Sequence, residues 1–155
     1  MTNVLFYHLE RATLDAVLPD LLEKSRAKGW NAVVKVGEDD ELNRLDERLW
    51  TFKDDSFLAH GVAPAAEGEE PARCPIWLTT GDDNPNAAQI LFLVAGARRE
   101  IEDVRQFQRC VTIFDGGDDG AVSAARTFWK DAQIAGCDVA YWRQSSSGKW
   151  EKQGG

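Results

Sequence analysis

Val4-Leu5-Phe6-Tyr7-His8-Leu9, then Leu14, Val17, Leu18, Leu21 and Leu22, then Ala32-Val33-Val34-Lys35-Val36 decide the fold class. The first segment is almost wholly apolar, as befits a strand covered on both faces. In the second, apolar residues recur at intervals of three and four, the spacing of one helix face. Thr13 stands where an N-cap belongs. Gly29 stands where the helix ends, after Lys24, Arg26 and Lys28 in its closing turns. The third segment, within Asn31 to Val36, reads as another strand. Strand, helix and strand in this order form a βαβ unit, which predicts a parallel pair with a right-handed crossover.

The alternation continues outward from this unit. Asp39 to Trp50 reads as a helix with Leu42, Leu45 and Leu49 inward. Residues 53–74 hold Gly61, Pro64, Pro71 and the acidic Glu67-Gly68-Glu69-Glu70, and read as a long loop. Pro75 to Thr79 is a third strand, residues 81–86 a turn and Gln89 to Val94 a fourth strand. Arg99 to Gln108 is a short helix and Arg109 to Phe114 a fifth strand. Asp115 to Gly120 is a loop. Ala121 to Ala135 is a helix closed by Gly136, and Asp138 to Arg143 is a last strand at the sheet edge. The pattern predicts a three-layer, Rossmann-like α/β fold around a mostly parallel sheet of five to six strands. It assigns residues 1–144 to one domain and 145–155 to a flexible tail, apart from Trp150.

Composition narrows the function. With 155 residues and a net charge of −8, the surface as a whole is a poor match for nucleic acid or an anionic membrane. The apolar run from Ile90 to Ala97 is too short to span a bilayer, and Met1-Thr2-Asn3-Val4 lacks a signal-peptide pattern, so a cytoplasmic protein is expected. Cys74, Cys110 and Cys137 are far apart and read as reduced thiols. With His8 and His60 they form no zinc template, and no cofactor is expected.

Catalytic patterns are missing. The turn after the first strand is Glu10-Arg11-Ala12-Thr13, without the glycines of a dinucleotide site. Ser147-Gly148-Lys149-Trp150 lacks the loop of a phosphate-binding motif, and no G-x-S-x-G elbow occurs. Asp82-Asp83 and Asp118-Asp119 fall in loops at strand ends. They suit either turn solvation or a metal. His8, at the end of the first strand, is either structural or, with Asp82, part of a small enzyme or nucleotide or metal sensor.

Charge is uneven: the first 120 residues carry −10 and the last 35 carry +2. On a helical wheel of Ala121 to Ala135, Ala121, Ala125, Phe128, Ala132 and Ala135 share the inward arc. Val122, Arg126, Trp129, Lys130 and Gln133 fall on a neighbouring arc pointing away from the sheet. An outward Trp129 between two cations suits an apolar residue beside carboxylates, as in a short acidic peptide, or a base stacked near its phosphate. The acidic remainder of the protein would repel a long polyanion and favours the peptide. The other reading packs Trp129 under the C-terminal tail, against Trp142 or Trp150, with Arg126 over its face.

Several motifs, in order, resemble a known family. They are Phe6-Tyr7-His8-Leu9; Arg44-Leu45-Asp46-Glu47-Arg48-Leu49-Trp50; Ser56-Phe57-Leu58-Ala59-His60-Gly61; and Ala125-Arg126-Thr127-Phe128-Trp129-Lys130 followed by Ala135-Gly136. Together they resemble the chi subunit of bacterial DNA polymerase III holoenzyme, a clamp-loader accessory protein, over residues 3 to 143. The resemblance implies no catalytic activity. It implies binding of the acidic C-terminal tail of single-stranded DNA-binding protein, which ends in proline and phenylalanine with a free carboxylate. The family's tail-binding positions fall on Arg126, Trp129 and Lys130. Trp129 stands where Tyr is common and Gln133 where a further cation is expected, while Asp115, Asp118 and Asp119 stand beside the patch. The resemblance also implies a second partner, the psi subunit, on a surface including Trp50 and Phe57, with Ala59 replacing the expected Pro and His60 kept.

Overall fold

The computed structural model describes residues 2–10, 12–51, 60–64, 67–68, 70–144 and 149–153, with the backbone alone at position 50. Among these residues, eight strands form one sheet: β1 (Asn3–Leu9), β2 (Ala32–Val36), β3 (Gly61–Val62), β4 (Ile76–Thr79), β5 (Ile90–Val94), β6 (Arg109–Asp115), β7 (Asp138–Gln144) and β8 (Trp150–Gln153). Four α-helices among the described residues accompany them: α1 (Leu14–Ala27), α2 (Asp39–Thr51), α3 (Ile101–Val104) and α4 (Asp119–Ile134). The strand order is β3-β4-β2-β5-β6-β1-β7-β8. Every neighbouring pair is parallel except β7 with β8. The α/β class and the mostly parallel sheet are as the sequence predicts.

Two corrections concern the sheet. The predicted βαβ unit exists, but β1 and β2 are not neighbours, because β6 and β5 lie between them. β1 instead pairs along its whole length with β6, from Asn3 opposite Arg109 to Leu9 opposite Asp115. The sheet also has two strands beyond the expected six. β3 comes from the stretch read as loop, and β8 from the stretch read as tail. β8 forms because Trp150 packs edge-on against Tyr7, ring centroids 5.1 Å apart, which brings it alongside β7 with Gln144 opposite Trp150.

The two sheet faces hold two cores. On one, Leu18 and Leu22 of α1 and Leu45 and Leu49 of α2 pack on Val34, Leu78 and Phe92. On the other, Ala125 and Ala132 of α4 and Val104 of α3 cover Val4, Phe6, Leu91 and Cys110. Strands β4 and β5 are buried at every position, which explains their apolar runs. The Arg44–Trp50 motif also has a structural reading. Leu45 and Leu49 are core, and Arg44 pairs with Asp15 and Glu41. Asp46 meets the buried His60 at 2.7 Å from Nε2, which pins the chain after the undescribed residues 52–59 back to α2.

Candidate functional site

α4 begins at Asp119 rather than Ala121, because Asp118 is its N-cap: Oδ1 accepts from the Ala121 N–H at 3.1 Å. Ala125 and Ala132 face the sheet as predicted and are buried. Arg126, Lys130 and Gln133 are exposed, also as predicted. Trp129 departs from the wheel. It is partly buried and leans onto the sheet, its ring 5.2 Å from Phe6 and 5.9 Å from Tyr141. It touches neither Trp142 nor Trp150 in the manner of the alternative reading. Those rings lie by Tyr7 on the opposite sheet face. The surface therefore presents two exposed cations around a ring held from behind.

What holds the ring is an aromatic cluster under α4. Phe6, with no exposure, touches Phe128, Trp129 and Tyr141 at centroid distances of 5.8, 5.2 and 6.0 Å. Tyr141 also meets Phe114 edge-on at 6.0 Å. Its hydroxyl lies 2.6 Å from Nδ1 of the buried His8. Nε2 of His8 lies 3.5 Å from Glu10, which also accepts from Arg143. Phe6 and His8 on β1, with Val139 and Tyr141 on β7, project to the α4 side by the two-residue strand period. Reading the wheel alone missed Phe6 and Tyr141; the alternation within β1 and β7 was the available signal.

The His8 ionisation is shifted downward, first by burial and then by the Arg143 charge, with Glu10 and Asp115 opposing. The folded state thus favours neutral imidazole more than the unfolded chain, whose value is about 6.5. The stability this confers is complete above that value. It is lost as pH falls from about 6.5 toward the lower folded-state value, because the unfolded chain takes up the proton first. Urea unfolding from pH 7.5 to 5.5 should therefore show wild type losing stability relative to His8→Asn. Parallel curves would refute the assignment.

The acidic pairs are occupied with structure. Asp118 caps α4, and Asp115 Oδ1 accepts from Gly117 N–H at 2.8 Å. Asp82 pairs with Lys35 at 2.6 Å. Asp83 accepts from Trp77 Nε1 at 2.6 Å and from Thr79 Oγ1 at 2.5 Å. His8 and Asp82 stand at the ends of different strands, and Asp82 reaches back to Lys35 on β2. β6, β5 and β2 separate β1 from β4, a span of roughly 19 Å. Among the described residues, no group of three His, Cys, Asp or Glu side chains could hold a metal ion. The three cysteines are free thiols, and burial pushes that of Cys110 far up. Phe57 lies outside the described residues, and of Trp50 only the backbone, in α2, is described.

A family model described as DNA polymerase III chi subunit, HolC, matches residues 1–140. A Rickettsia prowazekii protein named "Probable DNA polymerase III subunit chi" is 24% identical over 114 residues, covering 74% of this chain and 66% of that protein. The DNA polymerase III subunit chi of Pseudomonas aeruginosa is 31% identical over 94 residues, covering 59% of this chain and 63% of its own length. The chain thus spans a little under two thirds of the length of these curated relatives.

Proposed function

The chain belongs to the DNA polymerase III chi subunit family, and from that premise we propose that it is a non-catalytic replisome adaptor. It binds the acidic C-terminal tail of single-stranded DNA-binding protein and links it to the clamp loader. The observation that carries this reading is the surface of α4, where Arg126 and Lys130 are exposed on either side of a Trp129 ring braced by Phe6 and Tyr141. A fixed aromatic face suits the terminal phenylalanine of the tail. One cation pairs with its α-carboxylate and the other with upstream aspartates. Asp115 and Asp118, beside the patch, already accept backbone N–H groups, which tempers their repulsion of an acidic tail.

A second partner, a psi-like subunit of the clamp loader, is proposed for a surface including Trp50, on α2, and Phe57. The Asp46–His60 contact holds residue 60 against the same helix. Replisome work is cytoplasmic, and none of the described helices is long and apolar enough to cross a membrane.

The test is fluorescence anisotropy with a labelled tail peptide carrying a free terminal carboxylate. The expected dissociation constant is on the order of micromolar, rising with salt. Trp129→Ala should weaken binding roughly 30-fold, as loss of a central aromatic anchor does. Lys130→Ala should weaken it about five- to ten-fold, as should amidating the carboxylate. Absence of binding at low salt, or equal binding by Trp129→Ala, would overturn the proposal.

A further inference from the structure

The sheet face opposite α4 is only partly roofed. Its helices are α1, which leads from β1 to β2, and α2, which leads from β2 to β3, so both run away from β7 and β8. Among the described residues, no helix is led over β7 and β8 on this side. Strand alternation places Leu5 and Tyr7 of β1, Ala140 and Trp142 of β7, and Trp150 and Lys152 of β8 there. Tyr7, Trp142 and Trp150 are all partly exposed. The Tyr7 and Trp142 rings lie within 14° of parallel at 6.5 Å, and Trp150 stands edge-on to Tyr7 at 5.1 Å. Aromatic rings on neighbouring strands of an open sheet face are a platform on which unpaired bases stack.

Cations flank the platform. At the start of the same strands, Trp30 has Lys28 Nζ 4.9 Å and the Arg109 guanidinium carbon 5.1 Å from its ring centroid. Arg109 stands on β6 opposite Asn3 of β1, and its charge acts on the Tyr7 phenol, where burial is the larger influence. At the other end, Lys152 is opposite Trp142. The side chains of Lys28, Arg109 and Lys152 make no hydrogen bond or ion pair among the described residues, and Arg109 Nε is buried without an acceptor. The chain has 26 acidic residues against 18 Lys and Arg, so these cations do not lack partners for want of carboxylates. Asp138 is the only acid that β1, β7 and β8 place on this face. Arg109 is itself partly exposed, so an anion reaching the guanidinium can supply the missing acceptor.

We propose that this face, from Trp30 and Arg109 across Tyr7 to Trp142, binds a short stretch of single-stranded nucleic acid without sequence preference. The bases lie on the strand-borne rings and the phosphates on Lys28, Arg109 and Lys152. Four residues of strand separate the level of Arg109 from that of Trp142, roughly 13 Å, so the stretch held is short. That accords with a net charge of −8, which opposes a long polyanion but is screened beyond about 10 Å at moderate salt. The site is independent of the α4 surface, which lies on the other face of the sheet.

The experiment is fluorescence anisotropy on the full chain with a labelled oligothymidylate of about eight nucleotides. The expected dissociation constant is on the order of 10 μM at low salt, and a four-fold rise in salt should weaken binding roughly 20-fold, the slope for about three phosphates. Trp142→Ala should weaken binding about ten-fold, as loss of one stacking ring does. Should it fail to fold, Trp142→Leu carries the same test. Lys28→Gln and Arg109→Gln should each flatten the logarithmic salt slope by about 0.7, which a purely structural role would leave unchanged. Trp129→Ala should bind the oligonucleotide as wild type does. Absence of binding at low salt would overturn the proposal. So would equal binding of a glutamate peptide of the same length with no effect of Trp142→Ala, which would make the face a general anion surface. Loss of binding in Trp129→Ala with the Trp142 variants unaffected would place the strand on α4 and equally refute this site.

Discussion

Phe6→Ala is expected to lower stability by about 3–5 kcal/mol, the range for removing a fully buried aromatic ring. Phe6 has no exposure and sits on β1, between β6 and β7, under α4. Its ring touches Phe128 and Trp129 on the helix and Tyr141 on the strand. No neighbour can fill the hole easily. Ala125 and Ala132, the buried side chains of α4, are short, and the strands on either side are locked by ladder hydrogen bonds. Against a typical stability of about 5–15 kcal/mol, the loss is a large fraction. Urea unfolding should show the midpoint falling by roughly 2 M at an unchanged slope. Peptide binding should fall as well, because the floor beneath both Trp129 and Tyr141 is gone. A loss below about 1 kcal/mol would mean that α4 is not packed on this ring.

The same residue illustrates what the sequence could disclose. That Phe6 belongs to a buried strand was legible, because apolar runs and helical spacing are local signals. That β1 lies beside β6 and β7 was not, because Val4 meets Cys110 and Val139 across more than a hundred residues of chain. The βαβ pattern gave the parallel sense and left the neighbours open. The wheel of α4 correctly found its buried alanines and its exposed cations. It misjudged Trp129 because a wheel places Cβ directions, whereas a long side chain leans toward the helix N-terminus and reaches well beyond its own arc. The His8–Tyr141 contact joins positions 133 apart in sequence, and no periodicity marks it. That Asp83 and Asp118 serve their loops was one of the two readings the sequence offered; that Asp118 caps α4, and that Asp83 binds the Trp77 and Thr79 side chains, was not legible.

Gly116→Ala should destabilise the protein by about 3 kcal/mol, the upper end for overpacking. A Cβ there would lie 2.0 Å from His8 Nε2, 2.3 Å from its Cδ2 and 2.8 Å from the Leu9 carbonyl oxygen. The carbonyl is backbone and accepts from the Gly116 N–H at 2.8 Å, so it cannot turn aside. The imidazole must therefore move, and its 2.6 Å contact with the Tyr141 hydroxyl breaks. For a chain of this length the melting midpoint should fall by roughly 6–12 °C. Gly117→Ala is the control. Its Cβ would meet only Asp115 Oδ1 at 3.3 Å, on a side chain that can shift, so it should melt close to wild type. The decisive comparison is Gly116→Ala in a His8→Ala background. With the imidazole absent, most of the clash is relieved, and the two substitutions should be strongly non-additive. If Gly116→Ala costs the same in both backgrounds, the Leu9 carbonyl is the obstructing atom, and the 115–117 loop does not hold His8 against Tyr141.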